Sequence, residues 1–371
     1  MQHTDSPTAT KIWPRVAQRI TQLVDQPWIT AMVRSSAVDD TLSALHPMLS
    51  LAQVRARVVR ILDETANTKT FVLQPNAQWQ GAQSGQFVRL QCEINGRKVE
   101  RVYSLSSKGG SRRLAITVKR QPLGVMSEHL HQHIKVGDVL TISQAAGEFT
   151  LPAALPQKIL LLSAGSGITP VMAMLRDLQA QHYTGDVVLL HSCSTPEDRI
   201  FAAQIDRMHT DWLQLNVVTH YSQSQGRLDT GTLQQLVPDL AERSTWMCGP
   251  ALWMDSIHAL WSEQQFGAAL FSERFGTAPL RVAEPGDPVA VACASSGVTF
   301  TTTDAQNLLL QAERAGLKPK HGCRIGICRS CQCVKRSGTV ENLLTGEVSS
   351  APNELIRICI SSARSDVALD L

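Results

Sequence analysis

The sequence predicts a multidomain chain: a short helical N-terminal extension, an antiparallel β-barrel, a parallel-sheet α/β domain and a small cysteine-bearing β domain. Three observations carry this reading. The hydrophobic period changes from helical to alternating near Ser50, and from alternating to continuous apolar runs near Gln157. A proline- and glycine-bearing stretch, "GTAPLRVAEPGDP" (276–288), then interrupts the pattern. Beyond it, four of the nine cysteines fall inside residues 323–333.

A chain of 371 residues is long enough for two or three domains, each with its own core. A net charge of +3 and an apolar content of 43% disfavour disorder and a globally basic nucleic-acid binder. The longest apolar runs, such as "KILLLSAG" (158–165), fall far short of the ~20 residues a membrane span needs. The opening "MQHTDSPTAT" has no basic segment leading into an apolar one, so we expect no secretory signal and a cytoplasmic protein. In that compartment cysteines act as ligands, catalytic thiols or buried apolar residues, not as a disulfide framework.

Residues 1–50 form the extension. Ile12, Val16, Ile20 and Val24 recur at helical spacing, and Pro14 suits a first turn. Such a helix packs on the body of the protein; the alternative is docking on a partner or a membrane surface. Residues 51–154 hold six short runs, "AQVRARVV", "TKTFVLQP", "GQFVRLQCEI", "RKVERVYSLSS", "RRLAITVKR" and "GDVLTISQ", with turn residues between them, as an antiparallel barrel requires. Residues 155–276 carry "KILLLS", "DVVLLHS", "LQLNVVTH" and "STWMCG". These are continuous apolar strands separated by helix-length segments, the pattern of a parallel sheet covered on both faces. Residues 277–288 are the linker. Residues 289–371 open with "VAVACA" and "GVTFTTT", enter a helix with Asp304 as the expected N-cap, and end in the cysteine loop and a short β region.

Cys323, Cys328 and Cys331 are spaced x4 and x2, and Cys359 follows after twenty-seven residues. This is the plant-type ligand arrangement for a [2Fe–2S] cluster. Gly322 and Gly326 permit the sharp turn that aims backbone N–H groups at a cluster. The rival readings are coincidence and structural zinc, which uses two close pairs or histidines, whereas one close pair occurs here. Cys333 is expected to be a buried packing residue. The segment 289–371 resembles the plant-type ferredoxin domain, which implies a β-grasp fold.

"RVYS" (Arg101, Tyr103, Ser104) ends a β-run, and "GVMS" (Gly124, Val125, Met126, Ser127) opens a helical segment twenty residues on. Tyr103 can lie on an isoalloxazine ring and Ser104 can bond its N5 edge. Arg101 can bridge a diphosphate, and Ser127 with the amides at the helix start can bind an anion. The pair resembles the flavin signature of the ferredoxin–NADP reductase family, in which the second element points to FAD over FMN. "LLLSAGSGITPVMAML" reads strand, glycine turn, helix. Gly165 and Gly167 let the backbone approach a pyrophosphate, and Thr169 and Pro170 start the helix that faces it. "MCGP" (Met247, Cys248, Gly249, Pro250) follows at the end of another apolar strand. Both match the nucleotide half of the same family.

That resemblance implies that Ser104, Cys248 and Glu273 of "SERFG" surround the site of hydride transfer. After the third strand of the sheet, Ser222 and Arg227 can hold a 2′-phosphate, and no acidic residue meets a free hydroxyl there, so NADPH is expected, with NADH as the alternative. The module order places a flavin between a two-electron donor and a one-electron cluster. Over residues 52–371 the chain resembles bacterial three-domain reductases. The implied function is electron transfer from NADPH through FAD and [2Fe–2S] to an oxygen-activating acceptor. The helical extension, "VENLLTGEVSS" and "DVALDL" look most like reductases of membrane di-iron fatty-acyl desaturases. The alternatives are the reductase of an aromatic-ring or alkane oxygenase, and a redox-sensing ferredoxin-like protein. From Arg314 to Arg336 seven basic residues (Arg314, Lys318, Lys320, Arg324, Arg329, Lys335, Arg336) occur without an acidic one. They are either solvated charges that favour the reduced cluster, or a docking face for an acidic acceptor or for anionic lipid at the inner face of the membrane. A monomer without a nucleic-acid partner is expected.

Overall fold

The computed structural model describes residues 39, 41, 45–122, 124–275, 288–302, 306–321, 326 and 331–371. Most of the expected N-terminal helix, all but the last residue of the linker, Asp304, Cys323 and Cys328 lie outside them. The chain forms two compact units. One holds the barrel and the parallel sheet, the other the C-terminal β domain.

The six alternating runs form β1 (Val54–Thr65), β2 (Thr68–Pro75), β3 (Phe87–Ile94), β4 (Arg97–Ser104), β5 (Leu114–Lys119) and β6 (Val139–Ile142), in the order β4-β3-β6-β1-β2-β5. Alternation decides which face turns inward: Val54, Ala56 and Val58 of β1 are buried with Phe71, Leu73, Leu90 and Ile116. Two register shifts bend the long β1 against β2. The two edge strands meet where Leu105 bridges Ile116 and Ser106 N–H donates to the Ala115 carbonyl at 2.8 Å, which closes the barrel. Helix α1 (Val125–His133) plugs one end with Met126 and Leu130. The Asp39 carboxylate accepts from Ser50 Oγ at 2.8 Å and from Leu51 N–H at 2.6 Å, fixing the entry to β1.

The continuous apolar runs form β7 (Lys158–Ala164), β8 (Asp186–Cys193), β9 (Leu215–Tyr221) and β10 (Ser244–Gly249), and β11 (Leu270–Arg274) completes the order β11-β10-β7-β8-β9. β7 pairs in parallel with β8 and with β10, and β8 in parallel with β9. Five helices belong to this sheet: α2 (Ile168–Ala180), α3 (Ala202–Asp211), α4 (Ser222–Gln225), α5 (Thr230–Leu236) and α6 (Ala251–Gln264). Leu160, Leu161 and Leu162 have no solvent exposure, which is why β7 reads as an unbroken apolar run rather than an alternating one. The Trp246 ring stacks on Phe271 at 4.7 Å, and its N–H donates to the Thr150 carbonyl at 3.1 Å, joining the sheet to the segment that leaves the barrel.

In the C-terminal unit β12 (Ala290–Cys293), β13 (Val298–Thr301), β14 (Gln332–Ser337), β17 (Glu354–Arg357) and β19 (Val367–Leu369) form a sheet in the order β13-β12-β19-β14-β17. β15 (Val340–Asn342), β16 (Val348–Ser349) and β18 (Ser361–Ala363) form a second. The parallel pairing of β12 with β19 joins the two ends of this domain, the β-grasp arrangement that the resemblance implied. Helix α7 (Leu308–Arg314) starts later than expected. Asn307, in extended backbone, accepts from Leu310 N–H at 3.0 Å and is the N-cap in place of Asp304.

One basic residue of the cysteine region is not a surface charge. Lys335 is fully buried on β14, and its ammonium donates to the Ser349 carbonyl at 2.8 Å and meets the Glu354 carboxylate at 3.0 Å. The expectation that Lys335 belongs to a docking face is therefore corrected: the core-facing phase of β14 puts it inside. Its neighbour Arg336 points outward and pairs with Asp370 at 2.6 Å. Breaking a buried ion pair from one side strands the other charge, whereas an apolar replacement of both is tolerated. Glu354 is 36% exposed, which screens the pair, and Lys335 keeps the Ser349 carbonyl, so Glu354→Gln should destabilise the C-terminal domain by about 1 kcal/mol in urea unfolding followed by far-UV circular dichroism. The double variant Glu354→Gln with Lys335→Met should recover much of the loss; equal stability of the single variant and the parent would refute the pair.

Candidate functional site

The three residues expected at the hydride-transfer site come from three strands and are brought together. Ser104 ends β4 at 5% exposure, and its hydroxyl donates to Glu273 Oε2 at 3.1 Å, across 169 residues of sequence. Burial pushes the Glu273 carboxyl up to about 7, while the Ser104 hydrogen bond pulls it the other way. Cys248 ends β10 with no exposure. Burial first, and the Glu273 carboxylate second, hold its thiol well above the usual range, so it stays protonated at neutral pH.

The glycine turn between β7 and α2 packs directly on this strand end. A Cβ at Gly167 would lie 2.1 Å from the Cys248 carbonyl oxygen, so only glycine lets the turn sit there. Gly165 has φ +54°, in the left-handed region. Thr169 and Pro170 are buried in the first turn of α2, where Thr169 Oγ1 donates to the Ser166 carbonyl at 3.1 Å. Gly249 is buried beside Cys248, and Pro250 is exposed at the start of α6.

Tyr103 is half-buried against the barrel core. Arg101 is exposed, and its guanidinium donates to the Glu100 carbonyl at 2.8 Å. Gly124 is the N-cap of α1, where no side chain caps the helix. Val125 is exposed, and Met126 and Ser127 are buried. The Ser127 hydroxyl accepts from Gln121 N–H and donates to the Gly124 carbonyl, each at 3.1 Å, so it locks the turn that presents the helix start. A Cβ at Gly124 would come within 2.5 Å of that hydroxyl. An aromatic face, a hydroxyl and a desolvated carboxyl at one barrel edge, with an exposed helix start nearby in sequence, fit a flavin with a diphosphate tail. Ser222 opens α4 directly after β9, and Arg227 is exposed beyond Gly226, whose φ is +79°.

In the C-terminal unit Cys331 and Cys359 are both buried, and Ile358 N–H donates to the Cys331 carbonyl at 3.3 Å. Gly326 has φ +80°, and a Cβ there would lie 2.7 Å from Ile360 Cδ1. The Arg357 guanidinium donates to the Gly326 carbonyl. The described part of the loop is thus docked on the segment that carries Cys359, as a shared cluster requires. Cys333 is a core residue, its thiol pushed up to about 12 by burial, in keeping with a packing role.

Two contacts had no sequence signal. Ser84 Oγ donates to Asp177 at 2.8 Å, and Arg176 donates to the Ser106 carbonyl. Both side chains sit on α2 inside an ordinary amphipathic pattern, so periodicity hides them.

Comparison with known proteins finds three domain families in chain order. An oxidoreductase FAD-binding domain matches residues 55–151, an oxidoreductase NAD-binding domain 161–258, and a 2Fe-2S iron-sulfur cluster binding domain 291–364. The chain is 35% identical to an NADPH oxidoreductase of Mycobacterium tuberculosis, over 90% of this chain and 88% of that one. It is 30% identical to the glycine betaine monooxygenase reductase subunit of Pseudomonas aeruginosa, over 85% of this chain and 94% of that one. The solved structure of phthalate dioxygenase reductase shares the fold with a TM-score of 0.59 at 22% identity, over 86% of this chain and 98% of that one.

Glu273 makes stability depend on pH with a definite sign. Its carboxyl moves from an ordinary 4.5 to about 7 on folding, so between these values the folded state binds more protons than the unfolded state. Its cost is absent below the lower value, grows as pH rises and is complete above the upper one. Thermal midpoints of the parent minus those of Glu273→Gln should therefore fall as pH rises through this window, and parallel curves would show a solvated carboxyl.

Proposed function

We propose that this chain, which belongs to the family of NAD(P)H-dependent ferredoxin reductases carrying FAD-binding, NAD-binding and 2Fe-2S domains, draws its electrons from NADPH and supplies them to an oxygenase. The convergence of Ser104, Cys248 and Glu273 at the end of the nucleotide turn carries the reading. When bound, FAD accepts an electron pair and releases single electrons, and the [2Fe–2S] cluster stores one at a time.

The chain's own residues supply position, proton handling and exclusion of water. Tyr103 provides a face for the flavin ring. Ser104 offers a hydroxyl at the ring edge and relays a proton to or from Glu273, whose value near 7 lets it hold or release one at physiological pH. Cys248 acts as a neutral, buried wall that sets the nicotinamide's distance. Arg101 and the Gly124–Ser127 helix start receive the FAD diphosphate. Gly165, Gly167, Thr169 and Pro170 cradle the NADPH pyrophosphate, Gly249 and Pro250 border the nicotinamide end, and Ser222 with Arg227 takes the 2′-phosphate. Cys323, Cys328, Cys331 and Cys359 bind the cluster.

The Pseudomonas aeruginosa relative is named as the reductase subunit of a monooxygenase, while the name of the Mycobacterium tuberculosis relative gives no acceptor; the first favours an oxygenase over a fatty-acyl desaturase. Among the described residues no helix is long and apolar enough to cross a membrane. Of the described basic run, Arg314, Lys318, Lys320 and Arg336 are exposed; Arg336 is paired with Asp370, and the other three form the described part of a docking face for an acidic acceptor.

Cys359→Ser tests the electron path. NADPH-driven reduction of cytochrome c should be lost while ferricyanide reduction persists, and NADH should serve the parent less well than NADPH. Equal loss of both acceptor activities would make the cluster a structural element, and equal use of the two donors would remove the 2′-phosphate role. Lys318→Glu with Lys320→Glu should slow transfer to the physiological acceptor roughly tenfold at low salt and flatten its salt dependence. An unchanged rate and salt profile would leave these lysines as solvated charge.

A further inference from the structure

The geometry points to Arg176 and Asp177 as positioning residues that set the register of the nucleotide-binding helix on the flavin barrel, and so the approach of nicotinamide to flavin. This rests on the placement of the flavin at Ser104 and of the nucleotide at the Gly165–Thr169 turn.

Helix α2 carries that turn at its N-terminal end. Towards its other end, Arg176 donates to the carbonyl of Ser106, the second residue past Ser104. The same guanidinium donates to Gln204 Oε1 at 2.5 Å and lies 4.9 Å from the centroid of the Phe201 ring. Asp177 accepts from Ser84 Oγ at 2.8 Å, and that hydroxyl accepts from Gly109 N–H at 2.8 Å. The segment 106–109, which continues the Ser104 strand, is therefore held at both ends by two consecutive residues of one helix.

The seat is also sterically tight. A Cβ at Gly85 would lie 2.6 Å from Met174 Cε and 1.9 Å from the Phe149 carbonyl oxygen. One at Gly109 would lie 3.3 Å from Asp177 Oδ2. α2 cannot slide along the barrel without breaking these contacts together, and any slide would carry the glycine turn with it.

Burial lowers the Arg176 guanidinium to about 10, partly offset by the Glu64 carboxylate, so it remains charged at neutral pH. A planar fork can meet a carbonyl, an amide oxygen and an aromatic face at once; a lysine ammonium cannot. A cavity of about 500 Å³ borders Arg176, with Ser107, Gln179 and Gln204 on its wall. Truncating Arg176 enlarges an existing opening rather than emptying a packed core, so register should suffer before folding does.

Hydride transfer falls steeply with misplacement, about 10²-fold for an error near 1 Å. Arg176→Ala and, separately, Asp177→Asn should be made in the holoenzyme and mixed anaerobically with NADPH in a stopped-flow instrument. We expect flavin reduction to slow by about 10²-fold for Arg176→Ala and by about tenfold for Asp177→Asn, with a weaker long-wavelength nicotinamide–flavin charge-transfer band. FAD content, thermal midpoint and electron delivery from dithionite-reduced enzyme should hold. Arg176→Lys should recover part of the rate. Parental rates and bands in both variants, or losses that track FAD content, would overturn the proposal; if Arg176→Ala does not fold, Asp177→Asn decides alone. Ser104→Ala separates the two readings. Fast reduction in that variant with slow reduction in Arg176→Ala would sink the proton-relay role of Ser104 and keep the latch, and the reverse would sink the latch.

Discussion

The hydrogen bond between Ser104 and Glu273 is the constraint on which the oxidoreductase unit turns. It joins the last residue of a barrel strand to an edge strand of the parallel sheet, and it does so where water is excluded. A carboxyl in such a place pays for desolvation unless it is protonated or bonded, and here it is bonded once and half-protonated near neutrality. The same exclusion of water keeps the Cys248 thiol neutral. The region around Ser104, Cys248 and Glu273 thus has low fixed charge and one adjustable proton, as the proposed transfer of a hydride there would require.

Glycine is used sparingly to bring backbones that close. At Gly167 the missing side chain lets the nucleotide turn rest on the Cys248 carbonyl, and at Gly85 it lets the barrel accept Met174 of α2. The first contact lies at the N-terminal end of α2 and the second near its middle. Together with the polar ties of Arg176 and Asp177 they fix α2 between the glycine turn at Gly165–Gly167 and the segment that follows Ser104, and under the proposed function that packing would set precision at the site from a distance.

The architecture was legible because period and burial are coupled. β1 alternates since one face meets the barrel core, and β7 does not since both faces are covered. The gathering of Ser104, Cys248 and Glu273 was legible only through family resemblance, for nothing local links residues so far apart. Lys335 shows where charge counting fails: a run of cations reads as surface, but strand phase sends that one ammonium inward to Glu354. Asn307 is the cap where the sequence pointed to Asp304; both residue types cap well, so composition alone could not choose between them. Arg176 and Asp177 stayed hidden because their partners, a carbonyl and a serine from distant loops, leave no trace in spacing.

The same logic of a remote element fixing a reactive loop recurs in the C-terminal domain. Twenty-seven residues separate Cys331 from Cys359, so chain connectivity alone cannot hold these two cysteines near each other. The structure substitutes three local contacts: Arg357 on the Gly326 carbonyl, Ile358 N–H on the Cys331 carbonyl, and Ile360 filling the space that a side chain at Gly326 would need. All three come from residues within two positions of Cys359. The intervening β15 and β16 form a small sheet with β18, which begins two residues past Cys359, and Lys335, through Ser349 and Glu354, ties β16 to β14 and β17. A cation that reads in the sequence as part of a charged surface thereby helps to tie down the long excursion between Cys331 and Cys359.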